Sequence, residues 1–228
     1  MHSFPRTLAI ALLSVVCAFT SAYGAPIVQN GSFEAVAIGP PFLSNDPANV
    51  PGWTHSGTVG DALIWRVGYV DGGGSATVAG AGSQFVTLGG GFDTTGSASW
   101  TTTVTGLTSG QSYTLGFMMA KEGATFGGPQ TITVDFPNGS STGPQSFTAA
   151  LSSANYWRNW IPESEVFLAT AASADVRFSV TNQQFDVGLD NVQVAARAAG
   201  VPAPATILLL GTGLAGVAGI ALRRRRRT

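Results

Sequence analysis

Tyr113-Thr114-Leu115-Gly116-Phe117-Met118-Met119 decides the fold class. Tyr113, Leu115, Phe117 and Met119 alternate with Thr114, Gly116 and Met118, and a period of two puts the first set on one buried face of a β-strand. Ile132, Val134 and Phe136 repeat the period, as do Val176, Phe178 and Val180, and 187–194 reads as a last strand. Turn formers separate these runs, and no helical periodicity of useful length interrupts them, which is the pattern of an all-β antiparallel sandwich. Upstream, Trp100 to Val104 runs into Gly106-Leu107-Thr108-Ser109-Gly110. That stretch reads as a glycine-containing turn joining two antiparallel strands in a hairpin.

Composition narrows the function classes. The only cysteine, Cys17, falls near the N-terminus, so the remaining chain has no disulfide, thiolate metal site or cysteine nucleophile. Between residues 25 and 195 four basic residues, Arg66, Lys121, Arg158 and Arg177, stand against 12 acidic ones, leaving a net charge of −8. Nucleic-acid binding needs a positive footprint for phosphates, and this region is acidic. His55 is its one histidine, too few for a histidine-based metal centre.

The two ends read as export and tethering signals. Arg6, an apolar run from Leu8 to Phe19 and small residues at Ser21, Ala22 and Gly24 form a signal-peptide pattern over 1–24. Cleavage is expected after Ala22 or Gly24; an uncleaved anchor is the plainer alternative. Residues 205–222 form an uncharged stretch just long enough to span a bilayer as a helix. Arg223, Arg224, Arg225, Arg226 and Arg227 follow at once, and such a tail (223–228) stays cytoplasmic, leaving everything upstream outside. Ahead of the span, 196–204 is a linker ending in Val201-Pro202-Ala203-Pro204, where two prolines keep the chain extended and open to a processing enzyme. The segment from Val201 to Thr228 resembles the PEP-CTERM sorting signal of Gram-negative bacteria. Ala203 stands where that signal's best-known form has Glu. The resemblance implies recognition and cleavage by an exosortase-type membrane enzyme. Export across the inner membrane, initial anchoring and then a cell-surface or extracellular location would follow. A plain single-pass anchor is the other reading of the same tail.

Four pieces of 25–195 carry a second resemblance: Asn30-Gly31-Ser32-Phe33-Glu34, Pro51-Gly52-Trp53, the run from Val104 through Phe117, and Gly188-Leu189-Asp190-Asn191-Val192. Together they resemble galactose-binding-like jelly rolls, a fold shared by carbohydrate-binding modules. The resemblance implies a structural calcium held by Glu34 and Asp190 with the Gly31 carbonyl. Two carboxylates from distant parts of the chain suit a hard cation, though the same residues also read as loop caps.

For a glycan site the sequence offers Tyr156-Trp157-Arg158-Asn159-Trp160, with Trp65 as a second wall, because sugar C–H faces pack on aromatic rings. A sandwich also needs aromatic core, and Trp53 and Trp100 are assigned there. Catalysis finds little support. Gly139-Ser140-Ser141-Thr142-Gly143 matches a nucleophile-elbow pattern but lies in a polar loop bracketed by Pro137 and Pro144. Glu163 and Glu165, two apart on a strand, point the same way and cannot flank a substrate as a glycosidase pair does; they read as an exposed acidic edge. The sequence thus points to a non-enzymatic exported protein, structural in role or, alternatively, binding exopolysaccharide.

Overall fold

The computed structural model describes residues 25–40, 43–60, 62–70, 77–90, 95–122, 129–149 and 157–197. The signal segment 1–24, the motif Val201 to Pro204, the span 205–222 and the arginine tail lie outside them. Among the described residues no helix is long and apolar enough to cross a membrane.

Twelve strands form two antiparallel sheets: β1 (Ile27–Val28), β2 (Leu43–Ser44), β3 (Trp53–Gly57), β4 (Ile64–Arg66), β5 (Gln84–Gly89), β6 (Thr95–Thr105), β7 (Ser112–Lys121), β8 (Gln130–Asn138), β9 (Gln145–Ala149), β10 (Ile161–Leu168), β11 (Ser173–Gln184) and β12 (Asp186–Ala196). The first sheet runs β6-β11-β8-β9, with β1 and β3 sharing the free edge of β6. The second runs β10-β7-β12-β5-β4-β2. From β5 onward every connection except β8–β9 crosses between the sheets, in the manner of a jelly roll.

Period-two patterning explains most of this. Tyr113, Leu115, Phe117 and Met119 are buried as the alternation requires, facing Ile132, Val134, Phe136, Val176, Phe178 and Val180 across the core. Trp53 and Trp100 are core residues as expected. Ring pairs tie the layers, with Phe117–Phe178 centroids 5.1 Å apart and Phe136–Phe167 4.6 Å apart. The outward face of β6 carries only hydroxyl side chains, Thr95, Ser97, Ser99, Thr101, Thr103 and Thr105. These polar groups suit a solvent-facing surface, and two of them are bonded within it, Thr103 Oγ1–H to Asp175 and Ser97 Oγ as acceptor from Asn182 N–H.

Two expectations are corrected. β6 and β7 do not form a hairpin: Val104 pairs with Ala174 in the first sheet, whereas Tyr113 pairs with Phe167 in the second. The intervening residues cross the sandwich edge, a gap of about 10 Å that a two-residue turn could not bridge. Leu107 N–H donates to the Ala172 carbonyl and Thr108 N–H to Tyr113 Oη, anchoring the crossover. The second correction concerns Glu165. It is not an exposed edge acid: only 6% of it is accessible, and it points inward beside Phe167.

The Asn30–Glu34 and Pro51–Trp53 pieces form one corner. Trp53 Nε1 donates to the Gln29 and Asn30 carbonyls, and Phe33 lies 5.0 Å from the Trp53 ring. Val192 N–H donates to the Gly31 carbonyl, and a Cβ at Gly31 would lie 2.0 Å from Val192 O. The backbones meet too closely there for any side chain.

Candidate functional site

β5 is buried along its whole length, Gln84 to Gly89. A strand with one solvated face alternates, so continuous burial means that something covers the outer face of the second sheet. Two segments do so. Thr77 to Ser83 crosses the sheet just before β5, and Trp157 to Trp160 lies over it just before β10. Val78 N–H donates to the Trp157 carbonyl and Trp160 Nε1–H to the Val78 carbonyl (2.7 Å), tying the two segments together.

Beneath them is a second apolar cluster built on Trp65, Phe85, Ala120 and Trp157, with Leu43, Tyr69, Ala79 and Trp160 packed partly buried against it. Trp157 lies 5.5 Å from Trp65 and 5.2 Å from Phe85, while Trp160 meets Phe85 at 5.1 Å and Tyr69 meets Trp65 edge-on at 5.1 Å. Small residues make the seat. Gly188 lies under both Trp157 and Trp160, and Gly80 under Trp160.

The structure therefore brings Trp65, Trp157 and Trp160 together, as the sequence suggested, but it sorts their roles differently. Trp157 is fully buried and Trp65 only 3% accessible, so neither presents a ring face; both support the site from below. Their indole N–H groups are buried without a hydrogen-bond partner. Tyr156 lies outside the described residues. Trp160 is partly exposed, Arg158 and Asn159 are exposed beside it, and Tyr69, which the sequence reading missed, is partly exposed on the same cluster. Val67, Val70 and Val78, all exposed, extend the apolar surface. The signal for Tyr69 was an aromatic beside Gly68 among exposed valines, four residues after Trp65.

Beside the aromatic patch sits the carboxylate pair. Val187 and Leu189 enter the core, so Gly188 and Asp190 face outward, and Asp190 is wholly covered by the 77–83 segment. Its Oδ2 accepts from Ala81 N–H (2.7 Å) and its Oδ1 from Asn191 N–H (2.6 Å). Glu34 Oε1 accepts from the Ser83 and Gln84 N–H groups, both at 2.6 Å, and Oε2 from Ser83 Oγ–H at 2.7 Å. Burial, with a smaller contribution from the Glu34 charge, pushes the Asp190 carboxyl up to about 7 against those N–H donors. Glu34 and Asp190 thus both bind the backbone of the 81–84 stretch. The Gly31 carbonyl is already engaged by Val192, and the carboxylates are partly satisfied by backbone donors. Among the described residues no group of three or more His, Cys, Asp or Glu surrounds them. Glu34 Oε1 already accepts two N–H bonds, whereas Glu34 Oε2 accepts one and keeps a second lone pair that a cation could use.

No catalytic constellation accompanies these features. Glu163 and Glu165 share the inward face of β10. His55 packs 4.9 Å from Trp100, and burial lowers its pKa.

Residues 200–226 match the PEP-CTERM protein-sorting motif. The chain carries a PEP-CTERM tail. That motif indicates export and sorting to the cell surface, and it begins three residues beyond Arg197, where the described chain ends. No curated protein matches the chain. Among solved structures it is similar to TmCBM61 in complex with β-1,4-galactotriose, at 16% identity and a TM-score of 0.48, covering 74% of this chain and 97% of that one. The CBM22-1 xylan-binding domain of Paenibacillus barcinonensis Xyn10C follows at 13% identity and a TM-score of 0.38, covering 65% and 88%. A family 11 carbohydrate-binding module from Clostridium thermocellum, in complex with a β-1,3-1,4-mixed-linked tetrasaccharide, gives 14% and 0.37, covering 64% and 89%. At these values the likeness places no ligand on this chain.

Register fixes where the aromatic patch lies relative to Arg197, the last described residue before the PEP-CTERM motif. β12 starts opposite Lys121 and ends with Ala196 opposite Tyr113. Gly188, under the tryptophans, is nine residues before Arg197, about 30 Å along an extended strand.

Proposed function

We propose that this chain is a non-enzymatic exported protein, delivered to the cell surface through exosortase processing of its PEP-CTERM tail, and that its sandwich binds polysaccharide on the face formed by Trp160 and Tyr69. The observation that carries the binding reading is the aromatic and valine surface over Phe85 and Gly188. It is bordered by Arg158 and Asn159 and held rigid by the buried Trp65 and Trp157. Aromatic faces take the C–H side of a pyranose ring, and flanking guanidinium and amide groups take its hydroxyls. Placed about 30 Å along β12 from Arg197, this surface would be held away from a membrane to which 205–222 would tether the chain. A calcium bridging Glu34 and Asp190 belongs to the same proposal. It would neutralise the buried Asp190 and the half-buried Glu34 and fasten the 77–83 segment that carries one side of the aromatic surface.

Affinity electrophoresis of the full chain in detergent through gels cast with neutral and acidic bacterial exopolysaccharides tests the reading. Retardation should fall at least tenfold in affinity, about 1.4 kcal/mol, in Trp160→Ala and in Tyr69→Ala, each run well below its own melting temperature so that the folded variant is compared. Retardation unchanged in both, or absent from every gel, would remove the binding reading and leave a structural surface protein.

A further inference from the structure

β10 is the outermost strand of the second sheet and is paired on one side only, with β7. Its inward face reads Ile161, Glu163, Glu165 and Phe167. Glu165 is 94% buried, and neither of its carboxylate oxygens has a hydrogen-bond partner. Its neighbour across the β7 ladder is Leu115, and the next residues on the same face are Tyr113 and Phe117. From the facing sheet β9 brings Phe147 and β8 brings Phe136, Val134 and Ile132.

No cation faces Glu165 from any of these elements. β9 has no titratable residue, and the β8 acid, Asp135, points outward and is bound to Arg177. Lys121, on β7, lies beyond the start of β10, since Ile161 pairs with Met119. Tyr113 Oη accepts from Thr108 N–H and makes no hydrogen bond to Glu165. Glu163, on the same strand, adds only like charge. A buried carboxylate with neither a donor nor a counter-charge is costly when ionised and tolerable when neutral. The strand that bears it follows Trp160 directly, so its hold on β7 also positions the connector that forms the aromatic surface.

We propose that Glu165 makes the attachment of β10, and with it the aromatic surface at Trp160, sensitive to pH: the strand is held when the carboxyl is protonated and loosened when it ionises. This regulation rests on the reading of Trp160 as a ligand contact. Burial raises the Glu165 carboxyl from 4.5 to about 7. If opening of β10 returns it to water, linkage makes opening about 30-fold more favourable at pH 8.5 than at pH 5.5.

Hydrogen exchange read by mass spectrometry on the full chain in detergent, corrected for the intrinsic pH dependence of exchange, measures that opening directly. Protection of the 161–168 amides should fall about 30-fold between pH 5.5 and 8.5 in the wild type and in Glu163→Gln, and stay level in Glu165→Gln. Glu165→Met, which needs no hydrogen bond, serves in its place if the glutamine variant does not fold. A level wild-type profile, or an equal fall in the Glu165 variants, overturns the proposal. Polysaccharide retardation at the two pH values tests the coupling, which requires weaker retention at pH 8.5 in the wild type alone. Equal retention at both pH values despite lost protection also overturns it. Lost protection with no retention at any pH would sink the ligand reading and leave the strand's pH response standing.

Discussion

Gly188→Ala tests whether the aromatic surface is seated as described. A Cβ at Gly188 would lie 2.9 Å from Trp157 Cζ3 and from Trp160 Cη2, and 3.1 Å from Trp157 Cε3. Ordinary contact needs 3.4 Å or more, so both indoles are too close by about 0.5 Å. Trp157 has no room to retreat, because Trp65 and Phe85 enclose it, and its overlap with the Cβ persists as strain. Trp160, open to solvent on one side, gives way and loses its 2.7 Å bond to the Val78 carbonyl. Overpacking of this kind costs about 1–3 kcal/mol and the lost bond about 1 kcal/mol, against a gain of about 0.5–1 kcal/mol from replacing glycine within a strand. The net expectation is a loss of about 2 kcal/mol in urea unfolding of the full chain, with weakened polysaccharide retention. Gly116→Ala is the control. It sits on the neighbouring strand β7, where a new Cβ meets only the Gln193 side chain at 3.6 Å, so stability there should hold or rise slightly. If Gly188→Ala matches Gly116→Ala in both stability and retention, the tryptophans do not lie where this reasoning puts them.

Two further outcomes follow from the buried acids. A carboxyl whose folded pKa lies above its unfolded value contributes stability that is complete below the unfolded pKa and is lost as pH rises through the folded one. The difference between wild type and Glu165→Gln should therefore grow in favour of the variant from pH 4.5 to about 7, reaching about 3 kcal/mol, and then level; a difference independent of pH in urea titrations contradicts it. For the carboxylate pair, calcium added to chelator-treated protein should raise the melting temperature, and Glu34→Gln should abolish the rise. Identical melting with calcium and with chelator would leave Glu34 and Asp190 as acceptors for the 81–84 backbone alone.

The fold was legible wherever one face of a strand meets water. β7, β8 and β11 alternate over most of their length, and the sandwich follows from them. β5 escaped notice because Gln84-Phe85-Val86-Thr87-Leu88-Gly89 is covered on both sides and so loses the alternation. The β6–β7 connection has the residues of a turn whether it closes a hairpin or changes sheets; only the partners, Ala174 and Phe167, distinguish the two. At the candidate site the sequence could associate Trp65 with Trp157 and Trp160, because aromatics cluster. It could not tell which rings end up underneath. That depends on Phe85 and on the 77–83 segment, both about 75 residues away along the chain from Trp157 and Trp160. Glu165 misled for a related reason: Pro162-Glu163-Ser164-Glu165 is polar on both faces, so alternation gives no inward direction, and burial is set by Phe167 farther along the strand.

The position of the chain ends bears on how sorting and binding coexist in one molecule. Arg197 N–H donates to the Ser112 carbonyl, and Gln111 Nε2–H donates to the Arg197 carbonyl. Ala25 lies against Gly106 at the same end, and Ala25, Pro26, Gln111, Tyr113 and Ala196 wall a cavity of about 490 Å³ there. The first and last described residues, Ala25 and Arg197, therefore lie at the same end of the sandwich. The last ladder pair of β12 is Ala196 with Tyr113, so a cut at Val201 to Pro204 removes no residue that the sheet uses. Cleavage can then change where the domain resides without changing what its outer face presents. On the proposed processing, tethered and released forms would differ in location and in the number of copies a surface can gather, while the seat beneath Trp160 would be the same in both.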